Sequence, residues 1–142
     1  MKKPKRLSAL RPSLAPPPSG GGALPQEPRG SARQRGYDAG WDRESRVFLK
    51  ANPLCLGCKA VGILRPSAIT DHIQPHKGNR RLFRDPANRQ PSGRWHHDVV
   101  KQQLERRFDA GEIGAEDLRL DSDVAVALTR QLLARGDGPC DF

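Results

Sequence analysis

The sequence predicts a small α+β domain with flanking helices and a disordered basic tail at its N-terminus. Three observations lead there. The chain has 142 residues, of which only 35% are hydrophobic and 5% aromatic, so a single modest core is all it can build. Apolar residues recur at helical spacing in three places, whereas the β-branched run in "SAITDHIQPH" reads as a short strand that Pro75 ends. Cys55 and Cys58 form a close CxxC pair, a ligand set of the kind that staples a core too small to hold itself.

Taken in order, residues 1–34 form the tail, with seven of the thirteen prolines, a triple glycine and scattered basic residues. Such a composition buries too little apolar surface to offset the entropy of ordering. From Gly36 the spacing of Tyr37, Trp41, Phe48 and Leu49 predicts a helix of about 12 residues that stops before Pro53. "NPLCLGCKAVG" reads as a tight CxxC turn, followed by the strand. "KGNRRLFRDPANRQPSG" is expected to be a long basic loop, with a short second strand near Asn88 to Pro91. A helix starts at Trp95 or His96 and runs to about Phe108 on the stripe Val100, Leu104, Phe108. "DAGEIGAEDLRL" links it to a last helix, capped by Asp121 or Ser122, striped by Val124, Leu128 and Leu132, and stopped by Gly136.

The formal charge is +9, and its distribution says more than its total. Residues 1–36 hold eight basic and one acidic residue, a net of +7. Lys77 to Arg107 carries nine basic and three acidic residues, while Asp109 to Phe142 carries three basic and eight acidic. A basic surface therefore accompanies the histidines. No run approaches the roughly 20 apolar residues of a membrane span, and no apolar segment follows "MKKPKR" as a secretory signal requires. A cytoplasmic protein is expected, in which an odd set of three cysteines favours metal binding over disulfides.

The ligand-type residues fall in the order Cys-x2-Cys, Asp71-His72, Asn88, His96-His97. Together with "DHIQPHKGN … LFRDPANRQPSGRWHHDVVK", this order resembles the HNH endonuclease family, the ββα-metal nucleases of phage and prophage type, over about residues 36 to 108. The resemblance implies an HNH nuclease domain at 35–110, with 111–142 as a C-terminal helical extension. It implies that His72 is the general base, that Asn88 orients the strand and its histidine, and that His97 and Asp71 hold a catalytic divalent cation such as Mg²⁺, Mn²⁺ or Ni²⁺. The residue types suit that chemistry. A neutral imidazole with an ordinary pKa of about 6.5 can activate water near pH 7. A mixed oxygen and nitrogen site suits those cations. Because neighbours on a strand point to opposite faces, Asp71 and His72 can serve one phosphate only if the strand bends or ends there.

Many members of that family also hold a structural Zn²⁺ on two CxxC pairs. Here the second pair maps to Gly93 and His96, so the resemblance makes Cys55, Cys58 and His96 zinc ligands and His97 the catalytic one. Adjacent helical positions point about 100° apart, as two different metals require. Gly93 leaves the zinc set one ligand short. Either water or a side chain such as His76 completes it, or zinc binds weakly, or the fold is held by packing alone. Cys140 is too remote in sequence to assign.

Beside such a site, the run Lys77, Arg80, Arg81, Arg84, Arg89, Arg94 is expected to contact the DNA backbone. Lys101 shares a helix face with His97 and is expected to reach a phosphate. The implied activity is metal-dependent hydrolysis of DNA phosphodiester bonds, with little sequence choice, beside phage terminase or other packaging proteins. Two rivals belong to other classes. A non-catalytic DNA-binding module would bind with steep salt dependence and cut nothing. A packaging-complex adaptor would dock a partner through its acidic C-terminal helices and bind DNA weakly.

Overall fold

The computed structural model describes residues 30–139. The tail reading for residues 1–29, and Cys140, lie outside the described residues. A hydrogen-bonded turn over 31–36 leads into helix α1, Ala39–Ala51. The Asp38 side chain caps α1 by accepting from the Trp41 N–H at 2.9 Å, and Trp41 is the residue that α1 buries. The chain then bends at Pro53 into the CxxC segment, which is a single short helix, α2, Leu56–Ala60.

Two strands form the only sheet among the described residues. β1, Ile69–His72, pairs antiparallel with β2, Arg89–Ser92, in the register Asp71 opposite Gln90 and His72 opposite Arg89. On one side β1 meets α1, where Ser45 and Thr70 share a 2.7 Å hydroxyl contact and Trp41 stacks on His72. Its other long edge has no partner strand.

The segment expected to be a basic loop contains more order than that. Helix α3, Arg80–Arg84, is capped by Asn79, whose side chain accepts from the Arg81 and Leu82 N–H groups, and it buries Phe83. A 3₁₀ turn, Pro86–Asn88, follows, with Asp85 as its cap. Three of its five residues are arginine, which hides this helix from a periodicity reading, because one buried aromatic suffices to dock so short an element.

The predicted helix after β2 begins as a π-helical stretch, His96–Lys101, and continues without a break as α4, Gln102–Asp109. Val100 and Leu104 are fully buried on it and Phe108 partly so, as the stripe requires. A second 3₁₀ turn, Ala115–Leu118, leads to α5, Asp123–Ala134, with Ser122 as the N-cap. Gly136 ends α5 at a φ of +80°, a conformation that favours glycine.

The core consists of Ile73, Val100, Leu104, Leu118, Leu120, Ala125, Leu128 and Leu132. Five of these eight come from beyond residue 110, so the C-terminal segment is built into the core. Leu118 and Leu120, which the sequence left in a linker, are both fully buried. No helix among the described residues is long and apolar enough to cross a membrane.

Candidate functional site

An open groove of about 1030 Å³ runs along the unpaired edge of β1 and is lined by Asp71, His72, Tyr37, Trp41, His76 and His97 among others. Asp71 and His72 point to opposite faces of a strand, yet both reach this groove because β1 ends at His72 and its edge is open. His72 is 8% exposed and stacks on the Trp41 indole, with ring centroids 5.0 Å apart and planes 17° from parallel. Its Nε2–H donates to the Phe83 carbonyl at 3.1 Å. A carbonyl only accepts, so in the neutral ring Nδ1 is the basic nitrogen. Burial pulls the His72 pKa below its ordinary value and so favours the neutral ring, while the Phe83 hydrogen bond opposes that shift.

Asp71 divides its two oxygens. Oδ2 accepts from Gln90 Nε2 at 2.8 Å and lies 3.6 Å from Lys101 Nζ. Oδ1 lies 3.8 Å from His97 Nε2. His97 Nδ1–H donates to Asp98 Oδ1 at 2.7 Å, which turns the Nε2 lone pair towards Asp71. Burial raises the Asp71 pKa, and the Lys101 ammonium and the Gln90 amide oppose that rise.

Asn88 is buried and spends its whole amide on backbone. Nδ2 donates to the carbonyls of Gln74 (3.0 Å) and Leu82 (3.1 Å), and Oδ1 accepts from the Gln74 N–H at 2.8 Å. It thus ties the exit of β1 to α3. Because Phe83 of α3 supplies the carbonyl that fixes His72, Asn88 holds both ends of that arrangement.

A second cluster is built around His96, the first residue of the π-helical stretch. Cys55 Sγ and Cys58 Sγ sit 3.5 and 3.4 Å from His96 Nδ1, and the three donor atoms lie within 4.8 Å of one another. Zinc bonds of about 2.3 Å to sulfur and about 2.05 Å to nitrogen, at the tetrahedral angle, put S and N about 3.5 Å apart. This Cys2His group can therefore hold a metal ion such as zinc. The Cys58 hydrogen bond lowers the Cys55 thiol to about 4, and the same pairing raises Cys58, so one thiolate is already favoured. His96 Nε2 faces Thr129 Oγ1 of α5 at 3.3 Å, which leaves Nδ1 for the metal. A Cβ on Gly57 would come within 2.3 Å of the His96 ring, so only glycine admits the imidazole there.

Adjacent histidines thus serve separate clusters, His96 facing the cysteines and His97 facing Asp71. Other expectations need correction. His76 does not approach the cysteines. It packs against His72 and Phe83, and its Nε2–H donates to the Tyr37 hydroxyl at 3.2 Å, because Nδ1 already accepts from the Gly78 N–H. Lys101 is no surface cation. It is 1% exposed, and its Nζ donates to the His72 carbonyl at 2.8 Å and to Glu105 Oε1 at 2.6 Å, which consumes the reach expected for a phosphate.

The basic run is also not one patch. Lys77 lines the groove but pairs with Asp109 at 2.7 Å, while Arg84 and Arg89 both bind Glu44 of α1. Arg80 is exposed on α3, and Arg94 is exposed on the cleft beside Cys58 and His96. Gln90, Asp98 and Glu105 have roles that residue type alone did not announce. Only Asp98 carried a signal, as a carboxylate next to a histidine.

Fold and site define a small α+β protein with a buried Cys2His group suited to a metal ion and, apart from it, an Asp–His–His groove on an open strand edge. No protein-family description, curated protein or solved structure matches the chain.

Proposed function

We propose that the chain is a metal-dependent DNA endonuclease of the HNH type, hydrolysing phosphodiester bonds of duplex DNA. The observation that carries this reading is the convergence of His72, Asp71 and His97 on one open groove, with His72 locked so that Nδ1 is its basic nitrogen. The order strand, strand, helix fits the ββα-metal core that the sequence motif implies.

In this reading His72 takes the proton of the attacking water, with its ring orientation set by the Phe83 carbonyl and the Trp41 stack. Asp71 Oδ1 and His97 Nε2 fit a divalent cation, since a carboxyl oxygen and an imidazole nitrogen face each other across 3.8 Å. Such a cation supplies positive charge against the scissile phosphate. Asp98 positions His97, and Asn88 positions the segment around His72. Arg35 and Lys77 on the groove wall are placed for backbone phosphates, so DNA is the partner and contact is expected to be insensitive to sequence. A place beside phage packaging proteins rests on the motif resemblance alone.

Asp98→Asn is expected to weaken Mn²⁺ or Ni²⁺ binding at this site by about 10- to 100-fold, measured by calorimetry, because it removes the carboxylate that sets the imidazole. The function itself is tested with supercoiled plasmid in Mg²⁺, Mn²⁺ or Ni²⁺, beside a chelator control. Nicked or linear product that the chelator suppresses is expected. Intact plasmid in all three metals, with DNA still bound, would replace this reading with the binding module.

A further inference from the structure

Tyr37 stands just before α1 and lines the groove together with His72 and His76. A hydrogen bond from its backbone N–H to the Ala32 carbonyl, at 3.0 Å, fixes where it enters. Three neighbours then hold the ring edge-on, with centroids 5.6 Å away for Trp41, 5.0 Å for Phe83 and 6.4 Å for His72. Phenylalanine would satisfy all three contacts. The hydroxyl needs another reason to be there.

Its hydrogen bonds supply one. Gly78 N–H donates to His76 Nδ1 at 3.2 Å, so the neutral His76 ring carries its proton on Nε2 and donates it to the Tyr37 oxygen, also at 3.2 Å. A hydroxyl that accepts still has its own proton to give. Among the described residues, no acceptor takes that proton. The other two hydroxyls on the groove, those of Ser45 and Thr70, spend theirs on each other and on the Ser45 carbonyl. Burial raises the Tyr37 pKa, against the Arg35 guanidinium and with the Asp71 carboxylate, so the phenol stays a donor at neutral pH.

A phosphate diester under attack gathers charge on two non-bridging oxygens, and a fixed donor aimed at such charge lowers the barrier. Asp71 and His97 serve one of these oxygens through the cation proposed for them, which leaves the other for the protein. We propose that Tyr37 is a catalytic residue whose O–H donates to that second oxygen of the scissile phosphate. The hydroxyl suits the task because His76, packed 5.1 Å from the His72 ring, holds its oxygen beside the base and turns its proton away from itself. No proton changes hands in this step. The inference rests on the groove cutting DNA.

The test compares the full chain with Tyr37→Phe on a duplex oligonucleotide in Mn²⁺, with a single Rp or Sp phosphorothioate or with oxygen at the same linkage. On the oxygen duplex, Tyr37→Phe is expected to cut about 10- to 100-fold more slowly, the worth of one hydrogen bond to a charged group, with KM within about threefold of the parent. One phosphorothioate diastereomer is expected to slow the parent but not Tyr37→Phe, because sulfur accepts poorly and the variant has no donor to lose. Cleavage by Tyr37→Phe at the parent rate would overturn the role of Tyr37 while the nuclease reading stands. Slow cleavage with equal sulfur effects in both proteins would do the same, since the hydroxyl would then act through the fold. A parent that leaves the oxygen duplex intact in Mg²⁺, Mn²⁺ and Ni²⁺ alike would overturn both.

Discussion

Replacing His72 with alanine is expected to lower plasmid cleavage by about 100- to 10,000-fold while DNA binding stays within a few-fold of the parent. The range is the usual contribution of one positioned general base, or about 2.7 to 5.5 kcal/mol of barrier. His72 is placed for that contribution, with its Nε2–H engaged by the Phe83 carbonyl and its ring stacked on Trp41. Alanine removes the basic nitrogen and also empties part of the cluster formed by Tyr37, Trp41, His76 and Phe83. Circular dichroism and a DNA titration on the same preparation separate the two effects. A folded variant that binds DNA but does not cut identifies His72 as the base. A folded variant that cuts at the parent rate removes His72 from the mechanism.

Lys101→Met is expected to destabilise the fold by about 3 to 5 kcal/mol, read as a lower midpoint in urea unfolding. That is a large share of the roughly 5 to 15 kcal/mol that holds a typical domain. Methionine keeps the volume of the buried stem and deletes the ammonium. Three acceptors then lose their partner: the His72 carbonyl, Glu105 Oε1 and, at 3.6 Å, Asp71 Oδ2. The loss falls heavily because Lys101 is 1% and Asp71 6% exposed, so water cannot replace the ammonium. Adding Asp71→Asn to Lys101→Met is expected to restore part of the stability, since it removes the stranded carboxylate. A change below about 1 kcal/mol in Lys101→Met would mean that Asp71 is already neutral in the folded state, as its burial favours. The salt dependence of DNA binding is expected not to change, because Lys101 cannot face a phosphate.

Much of the architecture was legible from local pattern. Trp41 and Phe48 marked α1, Val100 and Leu104 the helix after β2, and Leu128 and Leu132 helix α5, because a buried face repeats every three to four residues. Ser122 and Gly136 marked the ends of α5 through the chemistry of the terminal N–H and carbonyl groups. The short α3 escaped, since its one buried contact, Phe83, has no partner at helical spacing. Leu118 and Leu120 escaped for a related reason. They lie on a 3₁₀ turn and its exit, where no periodicity announces a buried side chain.

By itself the sequence determined the CxxC pair, the divergence of the adjacent His96 and His97 side chains, and the three long helices. All of these follow from spacing within one element. Only the tertiary structure decided which ionisable groups stay in water. Lys101 was expected to point outward, and its burial depends on the His72 carbonyl, 29 residues away in sequence. His76 was a candidate for the cysteines until Tyr37, 39 residues earlier, engaged its ring. Gln90 holds Asp71 only because Leu118 and Leu120, about 30 residues later, supply the rest of its hydrogen bonds. The physical reason is common to the three. A polar side chain leaves water only where partners from distant segments meet it, and a sequence does not display that meeting.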